Sequence, residues 1–292
     1  MSYATAEALR AALEHRLNRQ ADESQTPVDR LRRRVLFERV ASRLQAAEPG
    51  RWVVKGGMAL EMRLPDGARL TKDLDLGLRD LEIDPDDLRN RLIESLTADP
   101  AGDRFVMAVG PVKRLAADGR GHPTWRASVA AALAGRRFGA IKLDISPRAH
   151  ELDMTEVMEL PNSLAFAGVR TAQIEVIDVH RHAAEKLHAI QRTFSDRENT
   201  RMRDLVDIVI LVEHGLLDPA KLGPAMSSVW EDREGVAPPR ELREPPASWA
   251  ASYAATAAEL ALGAGSVDEA VGVATTLWDQ ALGATGIDPP AA

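Results

Sequence analysis

The sequence predicts an α/β fold of the α+β kind, with a mixed sheet in its central part and a mainly helical C-terminal part. Short strand-like segments alternate with helical ones from about residue 50 to residue 170. Beyond Ile177 helical segments dominate, and residues 1–48 are helical and rich in basic residues. With 292 residues, 45% of them hydrophobic, the chain can bury a substantial core and is expected to divide into two domains.

Composition excludes several classes of protein. The chain has no cysteine, which excludes disulfides, a Cys-ligated zinc site and a Cys nucleophile. Its first 20 residues interrupt every apolar run with Glu or Arg, so no signal peptide is predicted. The alanine-rich stretch 250–262 contains Tyr253, Thr256 and Glu259, and it does not predict a membrane span. We therefore expect a cytoplasmic protein with no membrane partner.

A glycine pair follows the first strand-like segment. The apolar run Trp52–Val54 stops before Gly56 and Gly57, and residues 58–63 are mostly helix formers. Two glycines at a strand-to-helix junction permit a tight turn and leave backbone N–H groups free to face a phosphate at the helix start. The junction is therefore a candidate phosphate-binding site.

Two aspartates lie on the next strand-like segment. Residues 71–76 alternate polar and apolar side chains, which predicts a half-buried strand with Asp73 and Asp75 on one face. Two carboxylates at this spacing can hold a hard cation such as Mg²⁺ and leave positions for water and triphosphate oxygens. The Asp-x-Asp pattern alone is weak evidence, because solvated strand edges and turns also produce it.

A third carboxylate lies on a predicted hairpin. Alternation from Trp125 to Leu133, a turn at residues 134–137 and alternation over residues 141–145 place Asp144 on the polar side of the second strand. A two-metal site usually needs such a third carboxylate. The alternative is an exposed strand residue that pairs with Lys142 or Arg148.

Two later helical segments carry further candidate residues. Residues 180–192 have helical spacing, with Lys186 beside an apolar stripe, and a second helix begins near Arg203 with Asp204 and Asp207 close to one face. Lys186 could point into a cleft between domains, or it could be a surface lysine paired with Glu185 or Asp207. For Asp204 the alternative role is a favourable charge at a helix N-terminus.

Net charge gives a mixed indication about nucleic acid. The formal charge is −7, which argues against a phosphate-rich partner, but basic residues cluster at residues 30–34 and 181–203. Solvated helical faces would produce the same clusters. Histidine spacing shows no zinc pattern, and no nucleophile elbow or Walker-type loop is present.

Taken together, these motifs resemble the AbiEii-type nucleotidyltransferase toxins, a group that includes the mycobacterial MenT toxins, within the DNA-polymerase-β-like superfamily. The matching motifs are Lys55-Gly56-Gly57 with Leu60 and Arg63, residues 69–76, residues 142–145, residues 185–189 and residues 203–207. Two departures are that Gly57 stands where the superfamily often has Ser, and that the interval from Gly57 to Asp73 is longer than in the compact motif. The first departure leaves phosphate binding to backbone donors and to Lys or Arg.

The resemblance implies a bilobed enzyme with a polymerase-β-like core. Residues 1–48 would form helices that pack on the core, residues 49–172 the nucleotidyltransferase domain, and residues 173–292 a helical domain that contributes Lys186 and Asp204 to the cleft. The implied catalytic residues are Asp73, Asp75, Asp144, Lys186 and Asp204, of which the first three would hold Mg²⁺, expected as two ions. The implied nucleotide-binding residues are Lys55, Gly56, Gly57, Thr71, Lys72 and Lys186. In some members a Ser or Thr at the position of Thr71 can be phosphorylated.

The implied function is that of a toxin restrained by a separately encoded antitoxin, in the manner of abortive-infection systems. It would transfer a nucleoside monophosphate from an NTP to RNA, at the 3′ end of tRNA, and so block translation. RNA contacts would come from Arg192, Arg197, Arg201 and Arg203. Two alternatives stay open: transfer to a protein or small molecule, which would not require RNA, and a nucleotide-binding module that gives no product.

Overall fold

Eight strands form one mixed sheet in the computed structural model, which describes residues 3–65, 67–69, 71–80, 82–115, 123–149 and 152–285. The strands are β1 (Trp52–Val54), β2 (Leu74–Leu78), β3 (Val106–Val109), β4 (Lys113–Arg114), β5 (Trp125–Leu133), β6 (Arg136–Pro147), β7 (Thr155–Glu159) and β8 (Gln173–Ile177). Their order is β3-β5-β6-β2-β1-β8-β7, and β4 also pairs with β5. The β1–β8 and β2–β6 pairs are parallel, and the other pairs are antiparallel. This mixed sheet confirms the predicted fold class.

In several cases the helices begin at a polar cap or at a glycine. They are α1 (Ala6–Ser24), α2 (Val28–Ala47), α3 (Gly56–Arg63), α4 (Pro85–Thr97), α5 (Val179–Gln191), α6 (Met202–Glu213), α7 (Pro219–Glu234), α8 (Ala250–Glu259) and α9 (Val267–Thr285). The side chains of Thr5, Asp84, Asp178 and Asp218 accept hydrogen bonds from first-turn amides and cap α1, α4, α5 and α7. None of the described helices combines the length and the apolar character that a membrane crossing requires.

The chain divides into two units at a boundary that differs from the predicted one. The first unit is Met1–Arg63 with Leu70–Ile177, and the second is Leu64–Arg69 with Asp178–Ala292. The predicted boundary at residues 172/173 falls too early, because β8 pairs with β1 and β7 and so belongs to the sheet. Residues 1–48 were expected to form helices that pack on the core, and α2 packs against β6, β8 and β1.

The β5–β6 hairpin contains both a tight turn and a bulge. Leu133 pairs with Arg136, so the turn is shorter than predicted and consists of Ala134 and Gly135, with φ of 52° and 66°. Positive φ at both central residues is typical of the turn that matches the twist of two antiparallel strands. The register then shifts by one residue between Ala131 and Ala132, which is a β-bulge.

Only one face of this hairpin is covered. Ala127, Val129 and Leu143 are buried in the core that the sheet shares with α1 and α2. Their neighbours Ser128, Ala130 and Lys142 are exposed. Side chains alternate between the two faces of a strand, so the uncovered face of β5 and β6 is the polar one.

The second unit has its own apolar core. Helices α5, α6, α7 and α9 pack against one another, with Trp230, Tyr253 and Trp278 buried among them. The rings of Trp230 and Trp278 meet edge to face, with centroids 5.5 Å apart. The predicted helical character of this part agrees with the structure.

Candidate active site

The three predicted carboxylates converge on the sheet of the first unit. In the parallel pair β2–β6, Asp75 lies opposite Asp144. Directly paired residues of neighbouring strands project to the same face, so both side chains belong to the uncovered polar face. Asp73 lies one residue before β2 and joins the same group, because its carboxylate is 3.8 Å from a guanidinium that also binds Asp144.

Strand β2 begins later than predicted. The expected strand at residues 71–76 starts at Leu74, and residues 72–73 form a bend. The Thr71 hydroxyl donates to the carbonyl of Asp73 at 3.0 Å, and the Thr71 amide donates to the Glu61 carboxylate at 2.6 Å. These bonds take the place of backbone hydrogen bonds to a neighbouring strand. Asp73 therefore lies in a bend beside Asp75 and Asp144, and not in strand β2 itself.

The partner of Asp144 is an arginine that the sequence did not indicate. Arg126 lies opposite Asp144 on β5, and its Nε and Nη2 donate to the two carboxylate oxygens at 2.7 and 2.6 Å. The two-pronged contact is thus made by Arg126 and not by either predicted alternative, Lys142 or Arg148. The hydrogen bonds to Asp144 raise the pKa of Arg126, and the charges of Asp144, Asp73 and Asp75 raise it further. One guanidinium therefore compensates part of the charge of three carboxylates.

The donor chemistry of this group suits a hard divalent cation. Carboxylate oxygens are the ligands that Mg²⁺ prefers, and Asp73, Asp75 and Asp144 supply six of them. Within the described residues, no three His, Cys, Asp or Glu side chains are placed as a complete metal-binding set. Both oxygens of the third carboxylate, Asp144, are engaged by Arg126.

The glycine pair lies directly beside Asp75. Gly56 begins α3 with φ of +58°, and a Cβ at this position would overlap the Asp75 carboxylate. The first amides of a helix have no partner within the helix, and a negative charge is favourable there. Glycine at position 56 thus lets Asp75 lie against the start of α3.

Gly57 is explained by its contact with Thr71. A Cβ on Gly57 would stand 2.6 Å from the Thr71 Cβ, so the space that a serine would need is already filled. This contact gives a physical reason for glycine at position 57, where the superfamily often has serine.

The two lysines predicted to bind nucleotide differ in their exposure. Lys55 is buried, and its amide donates to the Asp75 carbonyl at 2.9 Å, whereas Lys72 is exposed.

Lys186 belongs to a buried ion cluster of the second unit. Its Nζ lies 3.1 Å from Asp204 Oδ1 and 2.5 Å from Asp207 Oδ2. Arg69 donates to both oxygens of Asp207 at 2.8 Å. Lys186 is not the surface lysine of the alternative interpretation, since only 6% of it is exposed, but it does pair with Asp207 as that interpretation expected.

Charge compensation decides the protonation of this cluster. Burial by itself would lower the pKa of Lys186, but the charges of Asp207 and Asp204 outweigh burial and raise it. Burial would likewise raise the pKa of Asp207, and the charges of Lys186 and Arg69 lower it instead. Lys186 is therefore a charged ammonium in a fixed position.

The predicted RNA-contacting arginines lie in and after the loop that joins α5 to α6. The guanidinium groups of Arg192 and Arg197 lie over the ring of Phe194, at 5.1 and 4.6 Å from its centroid. Arg201 is exposed and lies 3.9 Å from Asp204, and Arg203 is also exposed. The loop therefore presents positive charge together with an aromatic ring.

Sequence reasoning missed three residues of these groups: Arg126, Arg69 and Phe194. A signal existed for Phe194, because an aromatic residue between two arginines is typical of nucleic-acid contacts. Arg69 lies within the recognised motifs but carried no assigned role, and Asp207 was considered only as a partner of a surface Lys186. For Arg126 there was no local signal, since its partner depends on the register of the hairpin.

The ion cluster predicts a difference between two aspartates. Asp207→Asn is expected to lower the free energy of unfolding by about 3–5 kcal/mol, because it leaves the buried Lys186 and the half-buried Arg69 without their shared anion. Asp204→Asn should cost only about 1 kcal/mol, since Asp207 still compensates Lys186. Urea unfolding of both variants measures this, and equal losses would contradict the assignment of Asp207 as the central anion.

Comparisons with known proteins agree with the resemblance seen in the motifs. Residues 39–273 match the family model described as nucleotidyl transferase AbiEii toxin, type IV toxin–antitoxin system. A search among proteins of curated function gave no significant match. MenT4, a nucleotidyltransferase toxin from Mycobacterium tuberculosis H37Rv, is 19% identical, with a TM-score of 0.52 over 94% of this chain and 90% of its own. A candidate nucleotidyltransferase from H. pylori is 17% identical, with a TM-score of 0.48 over 87% of this chain and 97% of its own.

The family match decides the assignment, and the likeness to MenT4 concerns the fold. The match spans most of the chain and includes both the carboxylate group and the Lys186 cluster. The chain therefore belongs to the AbiEii family of nucleotidyl transferase toxins of type IV toxin–antitoxin systems, and is an enzyme with a nucleotide substrate and an antitoxin partner.

Proposed function

We propose that this toxin transfers a nucleoside monophosphate from an NTP to the 3′-hydroxyl of tRNA in a Mg²⁺-dependent reaction. The observation that carries the proposal is the convergence of Asp73, Asp75 and Asp144 on one face of the sheet, beside the start of α3. Loss of a free acceptor end would stop translation, which suits a toxin that an antitoxin restrains.

In the proposed reaction the 3′-oxygen of the acceptor forms a bond to the α-phosphorus, and the bond from that phosphorus to the oxygen of the β-phosphate breaks. Pyrophosphate leaves, and the hydroxyl proton passes to a carboxylate, which we assign to Asp144. Asp73, Asp75 and Asp144 would hold the Mg²⁺ ions, which supply charge neutralisation and activation of the hydroxyl when bound.

Other residues of the chain would bind the triphosphate. The amides at the start of α3, at Gly56 and Gly57, are suited to phosphate oxygens because helix N-termini favour anions. A role for Lys186 in offsetting the charge that develops on pyrophosphate stays a prediction of the resemblance; its two carboxylate partners keep this lysine charged and fixed. Roles for Lys55 and Lys72 in binding the nucleotide, and phosphorylation of Thr71, stay predictions of the resemblance.

The loop between α5 and α6 supports RNA as the acceptor. Proteins recognise single-stranded RNA ends by stacking bases on aromatic rings and guanidinium planes, with basic side chains along the backbone. Phe194 with Arg192 and Arg197 has this composition, and Arg201 and Arg203 add exposed positive charge. The net charge of −7 is no obstacle if binding is confined to this loop.

The direct test uses the purified chain with total tRNA, Mg²⁺ and each α-labelled NTP in turn. We expect label at the RNA 3′ end with the wild type and with Asp87→Ala, a control that removes an exposed carboxylate of α4. Asp73→Ala should give no label, because it removes one of the three carboxylates. Label on protein or on a small molecule without RNA would overturn the tRNA acceptor, and NTP binding without any product would overturn catalysis.

A second test separates backbone strain from displacement of Asp75. Gly56→Ala and Gly135→Ala both place a side chain at positive φ, at +58° and +66°, but a Cβ on Gly135 meets nothing within 4 Å. Each should lower the free energy of unfolding by at least about 1–2 kcal/mol. Only Gly56→Ala should also reduce transfer, by about 100-fold, since it displaces Asp75. Equal transfer rates for the two variants would show that the position of Asp75 is not critical.

A third test concerns the loop. Phe194→Ala is expected to weaken tRNA binding by about tenfold, because stacking on one aromatic ring contributes about 1–3 kcal/mol per base. Thr193→Ala, at an exposed neighbouring position, should leave binding unchanged. Filter binding without NTP measures both. If Phe194→Ala binds tRNA as tightly as Thr193→Ala, the loop is not the acceptor surface.

A further inference from the structure

Arg126 is a cation within the carboxylate group that the proposed reaction does not use. Its bidentate contact occupies both oxygens of Asp144, and its Nη2 also lies 3.8 Å from Asp73. In the sheet it stands in one row with Asp144 and Asp75, across three neighbouring strands. The guanidinium therefore interacts with the same carboxylates that would bind a divalent cation.

We propose that Arg126 is an exchangeable counter-ion of this site, which holds Asp144 until a divalent cation binds and which that cation displaces. The inference rests on the proposed function only in placing a divalent cation at the three carboxylates. It does not require tRNA, or any other particular acceptor.

Charge makes the two cations competitors. Asp73, Asp75 and Asp144 repel one another, and a single guanidinium or a divalent cation can each relieve that repulsion. Both together would repel each other at short range, and a carboxylate whose two oxygens bind a guanidinium fork is a weaker metal ligand. Metal binding at Asp144 thus includes the cost of breaking the contact with Arg126.

The side chain of Arg126 can leave without movement of the strands. It lies on the uncovered face of the sheet and is 35% exposed, whereas Asp144 is 16% exposed. Arg126 and Asp144 therefore form a partly solvated ion pair and not a buried structural one. Such pairs contribute little to stability, so removing the guanidinium should leave the fold intact.

Competition and a merely structural role predict opposite changes in metal affinity. If Arg126 competes with the metal, its removal frees Asp144 and metal binds more tightly. If Arg126 only orients Asp144 for the metal, its removal releases that carboxylate and metal binds more weakly. The sign of the change therefore decides between them.

The experiment is a titration of the full chain with Mn²⁺, with free Mn²⁺ followed by electron paramagnetic resonance, so that no turnover is needed. Arg126→Gln is expected to bind Mn²⁺ about five- to tenfold more tightly than the wild type. Arg126→Lys, which keeps the charge but not the two-pronged contact, should show a smaller change of the same sign. The matched control is Lys142→Gln, which removes a positive charge two residues from Asp144 on the same face of β6. Lys142 is exposed, and its removal should change affinity by less than about twofold.

Several outcomes would overturn the inference. Unchanged or weaker binding by Arg126→Gln would make Arg126 a structural partner of Asp144. If Lys142→Gln gained as much affinity for Mn²⁺ as Arg126→Gln, the effect would come from the loss of any nearby positive charge and not from competition at Asp144. Absence of Mn²⁺ binding in every variant would remove the metal site and the proposed function with it. If Arg126→Gln bound Mn²⁺ more tightly and the wild type transferred no label to tRNA, the inference would be supported and only the proposed acceptor would be overturned.

Discussion

The parallel pairing of β2 with β6 is the constraint on which the candidate active site depends. It sets Asp75 opposite Asp144, two residues that are far apart in the chain, and it leaves the apolar residues of both strands in the core. A slip by one residue would place a leucine opposite Asp75 and send Asp144 to the other face. The same apolar packing that stabilises the sheet therefore also fixes the positions of these candidate carboxylates.

Carboxylates brought this close together repel one another, and the fold offsets that repulsion in two ways. The glycine at position 56 lets Asp75 lie against the start of α3, where the helix favours negative charge. Arg126 supplies a full positive charge at Asp144 and a weaker contact at Asp73. Both features stabilise a group whose carboxylate oxygens are the ligands that divalent cations such as Mg²⁺ prefer.

The second unit uses charge compensation in a more buried form. Lys186 is held by Asp204 and Asp207, and Arg69 completes the charge balance around Asp207. An isolated buried lysine would lose its proton, but this one stays charged because two anions face it. Burial also removes most of its freedom to move, so its ammonium is a fixed charge and not a mobile surface group.

The sequence by itself determined the local structure and the identity of most chemical groups. Alternation predicted the strands around Asp144, helical spacing predicted α5 with Lys186, and the glycine pair marked the start of α3. These features depend on residues close together in the chain, whose periodicity is visible without the fold. The order of the motifs was also sufficient to recognise the family to which the chain belongs.

Only the tertiary structure decided which charges meet. Counted outward from the turn at Ala134 and Gly135, Arg126 would lie opposite Leu143, on the other face from Asp144. The bulge between Ala131 and Ala132 shifts the register by one residue and sets Arg126 opposite Asp144 instead. The burial of Asp207 and its contact with Arg69 likewise depend on packing between distant segments. Contacts of this kind follow from register and packing, which no short-range pattern of residues encodes.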